Sequence, residues 1–497
     1  MENHPTVQRN EALLADVEPA VVWRHFGELA ARPRPSLGEE AVRTYIIGWS
    51  EDHGLKCYRD DVGNLVVRVP GRGAGAEAEP VIIQGHLDMV TEKNSGTDHN
   101  FDEDPIALLR DGDLITADGT TLGADNGIGV AIALAAGEGH FSDHPPLELL
   151  LTVDEETGMG GARGLDPRFL SGKRLINLDA EEEGILYVGC AGGVDAVVGG
   201  RIKRRPAQAG EVCVRIGLTG LRGGHSGLDI HRNRGNAIRL LTRTLLRLQR
   251  DGARFGLVEF NGGSKRNAIP REASATLLIR GEMATRVPGM LQAYMGELKT
   301  LHADSEGDWS LSFEVVSEGQ FEAIDDDATR RLLGFLYTAP NGVLTMSATI
   351  PGLVETSCNL GVVTTEADRV TVTLCARSSN AAALAMVPDQ IAAQAHLAGW
   401  VSRSQAPYPG WQPDLSSGML QTTTEVFEAT VGRKPHVTAI HAGLECGLLQ
   451  EKLPGCDMIS FGPDIHNAHS PDESVSIRSV AAITELVGAL LARLCEA

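Results

Sequence analysis

The chain has no Cys-x-x-Cys pair: its eight cysteines, Cys57, Cys190, Cys213, Cys358, Cys375, Cys446, Cys456 and Cys495, are scattered. That spacing argues against a zinc ribbon or a dithiol redox motif and marks buried thiols, so any bound metal must be held by histidine and carboxylate. Positive charge is scarce as well, with 44 Lys and Arg against 66 Asp and Glu and a formal net charge of -22. Nucleic acids and anionic membranes need basic patches, and this deficit argues against both as partners. No apolar run approaches the roughly 20 residues that span a bilayer, and the opening MENHPTVQRNEALLADVEPA lacks the basic and apolar regions of a secretory signal. A cytoplasmic location is the expectation. What the chain does have is material for two cores, 497 residues at 42% hydrophobic, because one core rarely grows past about 250–300 residues.

Local patterns divide it. A helix is expected over Val21–Ala30, and Ser36-x-x-Glu39 reads as a capping box opening a second helix to about Glu51. NLVVRV and VIIQGH read as strands, NGIGVAIALAAGEG after Asp125 as a small-residue helix, LELLLTV and RLINL as buried strands. Helix alternating with apolar strand predicts an α/β sheet with parallel pairs covered on both faces. From about Val194 the texture changes to half-exposed alternation in EVCVRIGLTG, FGLVEF and ASATLLIRG, with an amphipathic helix in NAIRLLTRTLLRLQRDG. The α/β texture returns after Pro407 with HVTAI, HAGLECGLLQ, CDMISFG and a closing helix from Ser479. The expected organisation is one domain made of residues 1–192 and 401–497, interrupted by an antiparallel α+β insertion over residues 193–400. The two crossings predict a hinge.

Chemistry-bearing residues gather at strand ends. LLLTVDEETGMGG, residues 149–161, ends a buried run in three adjacent acids, Asp154, Glu155 and Glu156. Like charges there require solvent or a cation. His86 follows VIIQ, Asp179 follows LINL, Asp125 sits where GTTLGADNG enters a helix, and His469 follows MISFGPDIHNA. The carboxyl ends of neighbouring strands share one crevice in such sheets. Singly, His86-Leu87-Asp88 is a loop histidine and Glu155-Glu156 a solvated turn, whereas their joint placement points to a metal. Two imidazoles with several carboxylates suit Zn²⁺ and leave Mn²⁺ and Co²⁺ open. His466 competes with His469 on composition.

GHLDMV, TTLGADNGIG, DEETGMGGA, INLDAEEEG, GGHSG, NGGSKRNAIPRE, HAGLECG and FGPDIHNAHSPDE together resemble the aminoacyl-histidine dipeptidases, or cytosol non-specific dipeptidases, of the dinuclear-metal peptidases that include tripeptidases and glutamate carboxypeptidases. The resemblance runs over nearly the whole chain. It implies a catalytic domain with a mixed central sheet interrupted by a lid domain, and a homodimer formed through that lid. It further implies that His86, Asp125, Glu156, Asp179 and His469 hold two zinc ions bridged by Asp125. Glu155 would be the general base, Asp88 the carboxylate that orients His86, and His225 a donor to the scissile carbonyl from its own or a neighbouring subunit. Asn267, Arg377 and Glu445 match positions that contact substrate or shape its pocket. The implied reaction is hydrolysis of Xaa-His and other dipeptides. An N-acyl amino acid deacylase or carboxypeptidase is the alternative within the same chemistry, and a silent peptide or metal binder the alternative outside it.

Overall fold

Strands Val81–His86 and Leu147–Thr152 are buried at every position, which explains their apolar runs: a strand covered on both faces has no outward side to make polar. In the computed structural model, which describes residues 4–316 and 319–496, they pair in parallel from Val81 opposite Leu147 to His86 opposite Thr152. Arg174–Asn177 is parallel to Val81–His86 on its other edge, and Asp457–Ser460 is parallel to Arg174–Asn177. Leu65–Val69 pairs antiparallel with Leu147–Thr152, so the eight-stranded sheet is mixed. Helix Ala124–Gly137 packs on Val81–His86 and on helix Ala20–Ala30. Its small residues allow that approach: a Cβ on Gly129 would stand 2.5 Å from the Leu178 carbonyl oxygen, and one on Gly137 would stand 2.7 Å from the Trp49 ring.

Two compact units are present. The first comprises residues 1–189, 413–439 and 444–497, and the second residues 190–412 with Ile440–Gly443. The second carries a nine-stranded sheet in the order Ser310–Val316, Glu211–Thr219, Ala273–Arg280, Phe255–Gly262, Val354–Thr365, Arg369–Ser378, Gly192–Arg201, Val401–Tyr408, with Gly342–Met346 paired to Val354–Thr365. Helices Ala237–Arg250, Val287–Leu301, Asp326–Thr338 and Ala381–Leu397 share one core with this sheet through Leu241, Leu291, Leu332 and Ile391. Val214, Ile216 and Leu218 enter that core, while Cys213, on the opposite face, belongs to a separate small cluster with Leu278 and Ala323. That is the alternation the sequence carries.

Three expectations need correction. The second unit does not stop at residue 400, because Val401–Tyr408 pairs antiparallel with Gly192–Arg201. This edge strand is mostly exposed and polar, so it has no apolar alternation to reveal it. Ile440–Gly443 also belongs to the second unit, and the helix read from HAGLECGLLQ starts only at Glu445. Ser36 caps nothing: the helix is Glu40–Asp52, capped from Glu39 without a side-chain bond, and Ser36 Oγ donates instead to Asp88 Oδ2 at 2.7 Å.

Gly129→Ala tests the close helix approach. Alanine normally favours a helix interior by about 1 kcal/mol over glycine, but a backbone carbonyl at 2.5 Å cannot rotate away as a side chain can. The expected net loss is about 1–3 kcal/mol, read as a lower urea midpoint.

Candidate functional site

The parallel register brings the strand ends of the first unit together, and with them the acids. His86 Nε2 lies 3.1 Å from Asp125 Oδ1 and 3.2 Å from Asp179 Oδ1. His469 Nε2 lies 3.1 Å from Asp125 Oδ2 and 3.1 Å from Glu156 Oε2. The two oxygens of Asp125 thus face two different imidazoles. His86, Asp125 and Glu156 each offer a ligand atom within 4.8 Å of the other two. His466, the competing histidine, is exposed and sits in a short bridge opposite Ser474.

Local backbone fixes each of these groups. Asp154 adopts a left-handed conformation at φ 52°, and the chain then enters the one-turn helix Glu155–Gly158. The turn sends both glutamates inward where an extended strand would alternate them. Asp88 stands behind: Oδ1 accepts the Glu155 N–H at 3.0 Å and Oδ2 the Glu156 N–H at 3.1 Å, while Oδ1 is 3.4 Å from His86 Nδ1. These bonds hold Asp88 down at about 2 although burial pushes the other way. Glu473 clamps the loop that presents Asp125, accepting the N–H groups of Leu122, Gly123, Ala124 and Asp125 at 2.8, 3.0, 2.8 and 3.3 Å. Arg34 donates to the carbonyls of Leu87 and Asp88 at 3.0 Å each and to that of Gly123. Neither Glu473, present in the HSPDE motif, nor Arg34, between two prolines, carried a readable signal of this role.

Charge decides what the cluster can hold. Burial, opposed by His86 and aided by Asp179, Glu156 and Glu445, drives Glu155 well above the usual carboxylate range. Burial also raises Asp179 to about 6 and Glu181 to about 8. Asp125 goes the other way, because bonds from His469 and His86 outweigh its burial, and the same bonds from Asp125 and Glu156 lift His469 to about 11. The acids need positive charge, and the imidazoles supply part of it. Glu156 Oε1 and Asp179 Oδ1 are buried without a hydrogen-bond partner, His86 standing 3.2 Å from the latter outside bonding geometry. Unpaired carboxylate oxygens beside two imidazoles fit a divalent cation, which accepts lone pairs and neutralises charge.

Glu445 departs from its expected place on the pocket wall. It is fully buried, with Oε2 accepting from Gln84 Nε2 and Thr152 Oγ1 at 2.6 Å each, and burial raises it to about 7. A carboxylate with no exposed surface makes no direct contact with a molecule in solution.

The model of the peptidase family M20/M25/M40 matches residues 82–493. The chain belongs to this family. The cytosol non-specific dipeptidase of Escherichia coli is 40% identical over 478 residues, covering 96% of this chain and 98% of that protein. The crystal structure of the aminoacylhistidine dipeptidase from Vibrio alginolyticus is similar at a TM-score of 0.86 and 42% identity, over 96% of this chain and 97% of that one. An aminopeptidase from Bacillus cereus shares the fold at a TM-score of 0.55 and 16% identity, over 96% and 99% of the two chains.

In this M20 peptidase the remaining candidates lie in the second unit. His225 Nδ1 accepts the N–H groups of Gly227 and Leu228 at 3.3 and 3.1 Å, which leaves the ring hydrogen on Nε2. Asn267 is exposed, and its carbonyl accepts the Ser226 N–H at 2.8 Å, beside His225. Arg377 is buried, with Nη1 donating to Tyr408 Oη at 2.8 Å and Nε without a partner. His441, which the sequence did not single out, lies 2.7 Å through Nε2 from Ser357 Oγ. Burial lowers His441 to about 3, with Arg377 and His225 adding. Burial, with Arg377 adding, also lowers His225 to about 4.

A histidine lowered on folding contributes stability that is complete above its unfolded value near 6.5 and lost as pH falls through about 4. Nitrogen NMR of the His225 ring should therefore show the neutral Nε2–H tautomer across pH 5–7; a titration centred near 6.5 would contradict it.

Proposed function

We propose that the protein is a metal-dependent dipeptidase of the cytosol that hydrolyses Xaa-His and other dipeptides. The observation that carries this reading is Asp125, whose two oxygens face His86 on one side and His469 on the other at 3.1 Å. The two relatives that are 40% or more identical nearly end to end bear dipeptidase names, and no helix among the described residues is long and apolar enough to cross a membrane.

His86, Asp125 and Asp179 would hold one zinc ion and His469, Glu156 and Asp125 the other, with Co²⁺ or Mn²⁺ as substitutes. A bound pair supplies Lewis acidity at the substrate carbonyl and lowers the pKa of water. The protein's own groups do the rest. Glu155, half-buried and raised among its neighbours, takes the proton of the attacking water and returns it to the leaving amine. Asp88 fixes the orientation of His86 and the turn that carries Glu155. His225, neutral with a hydrogen on Nε2, donates to the oxygen that gains charge, a contribution that typically amounts to about 3–4 kcal/mol. Arg377 and Asn267 serve the substrate's polar groups. The second unit acts as a lid and as the surface for a homodimer.

Chelation should abolish Xaa-His hydrolysis, and zinc, cobalt or manganese should restore it; activity on N-acyl amino acids but not dipeptides would favour a deacylase. Glu155→Gln is expected to retain both ions in metal analysis while kcat falls about 10²- to 10⁴-fold. Near-normal turnover would remove Glu155 from the base role.

A further inference from the structure

Below the acids of the first unit runs a second polar layer that the hydrolytic steps do not use. Gln84 is paired in register with Asn177, and Asn177 with Ser460, on three neighbouring strands. Thr152 closes the strand on the far side of Gln84. These side chains form one chain of hydrogen bonds with a fixed direction. The backbone N–H of Asp179, which can only donate, reaches Asn177 Oδ1 at 3.3 Å, and Ser460 Oγ donates to the same oxygen at 2.6 Å. The Asn177 amide is therefore turned so that Nδ2 donates to Gln84 Oε1 at 2.5 Å. Gln84 Nε2 is turned in consequence toward Glu445 Oε2 at 2.6 Å, and that oxygen also accepts Thr152 Oγ–H at 2.6 Å. Oε2 of Glu445 accepts both of these bonds, so the chain runs from an obligate donor at one end to an accepting carboxylate oxygen at the other.

We infer that Glu445 is a positioning residue for the metal ligands, its buried carboxylate anchoring the amide chain that holds Asp179 and the strand ends carrying His86, Glu155 and Glu156. This rests on the reading of the chain as a metallopeptidase. Three members sit two to four residues before a proposed ligand or base: Gln84 before His86, Asn177 before Asp179, Thr152 before Glu155 and Glu156. Displacement of any of these three thus moves a ligand on the same strand end. Short bonds to a charged acceptor are about twice as strong as neutral ones, and in a medium of low dielectric each bond polarises the next. Glu445 sits at the start of helix Glu445–Lys452, where the aligned N–H groups favour negative charge. Oε1 is buried with no partner, so a proton placed there would be an unmet donor.

Glu445→Gln keeps the shape and leaves one oxygen to accept from Gln84 and Thr152, but removes the charge. Zinc content across a chelator series, thermal denaturation, kcat and KM on an Xaa-His dipeptide are to be compared with the unaltered protein. The expected variant is folded, releases zinc at about 10- to 100-fold lower chelator strength, as is typical when groups behind metal ligands are altered, and loses kcat at unchanged KM. Thr152→Val removes one donor and leaves the carboxylate, and should show the same pattern at smaller size; it carries the test if Glu445→Gln does not fold. Zinc retention and kcat equal to those of the unaltered protein overturn the inference, as does a raised KM at unchanged kcat, which would make Glu445 a substrate contact. An unaltered protein that binds no zinc overturns the metallopeptidase reading itself, a distinct result.

Discussion

Carboxylates that meet at buried strand ends repel one another by several kcal/mol per pair at about 4 Å when the effective dielectric is near 20, and the first unit is built around containing that repulsion. Asp125 is held ionised between His86 and His469. Asp88, against its burial, is held ionised first by His86 and then by backbone N–H groups and the Ser36 hydroxyl, and Glu473 lies across four more N–H groups. Glu155 is raised instead by its burial, with Asp179, Glu156 and Glu445 adding and His86 opposing. Neighbouring acids are thereby split into those held ionised, Asp125 and Asp88, and those raised by burial, Glu155, Asp179 and Glu181, the kind of separation that acid–base chemistry uses.

The second unit shows the opposite electrostatic habit. His225 and His441 are both kept neutral by burial, with the Arg377 guanidinium adding to the effect. Neutral imidazoles near a permanent cation thus stand in a region whose nearest acid, Asp229, is occupied by the backbone N–H of His225 at 2.9 Å. The nitrogen that carries the hydrogen on His225 is chosen by two backbone N–H groups of its own loop, so this donor needs no acidic partner to hold its tautomer.

Much of this was legible in the sequence, for reasons that differ by residue. His86, Asp125, Glu156, Asp179 and His469 were visible because each follows an apolar run or opens a helix, and a strand-end position in a parallel sheet predicts proximity without knowledge of long-range contacts. Buried runs such as LELLLT declared themselves by composition. The exposed strand Val401–Tyr408 did not, because an edge with polar residues on both faces has no periodicity. Ser36-x-x-Glu39 misled because the spacing of a capping box says nothing about a competing acceptor, here Asp88, 52 positions away. Glu445 was noticed for its motif but assigned to the substrate, since a sequence does not reveal that a glutamate before Cys446 is fully enclosed. Gln84 and Asn177 gave no signal, each being a polar residue that follows a short apolar run in its strand.

The strand order has a consequence for how the chain is made. Asp457–Ser460 lies inside the mixed sheet, between Arg174–Asn177 and Ile185–Cys190, and His469 follows it by only a few positions. A ribosome delivers the amino-terminal strands, and the whole nine-stranded unit, well before this piece. Until it arrives the sheet of the first unit has an open seam where a parallel partner belongs, an edge of the kind that invites wrong pairing during synthesis. The last strand of this sheet to emerge thus closes its seam and is followed by His469, so the pair of imidazoles around Asp125 is complete only after the whole nine-stranded unit has been made.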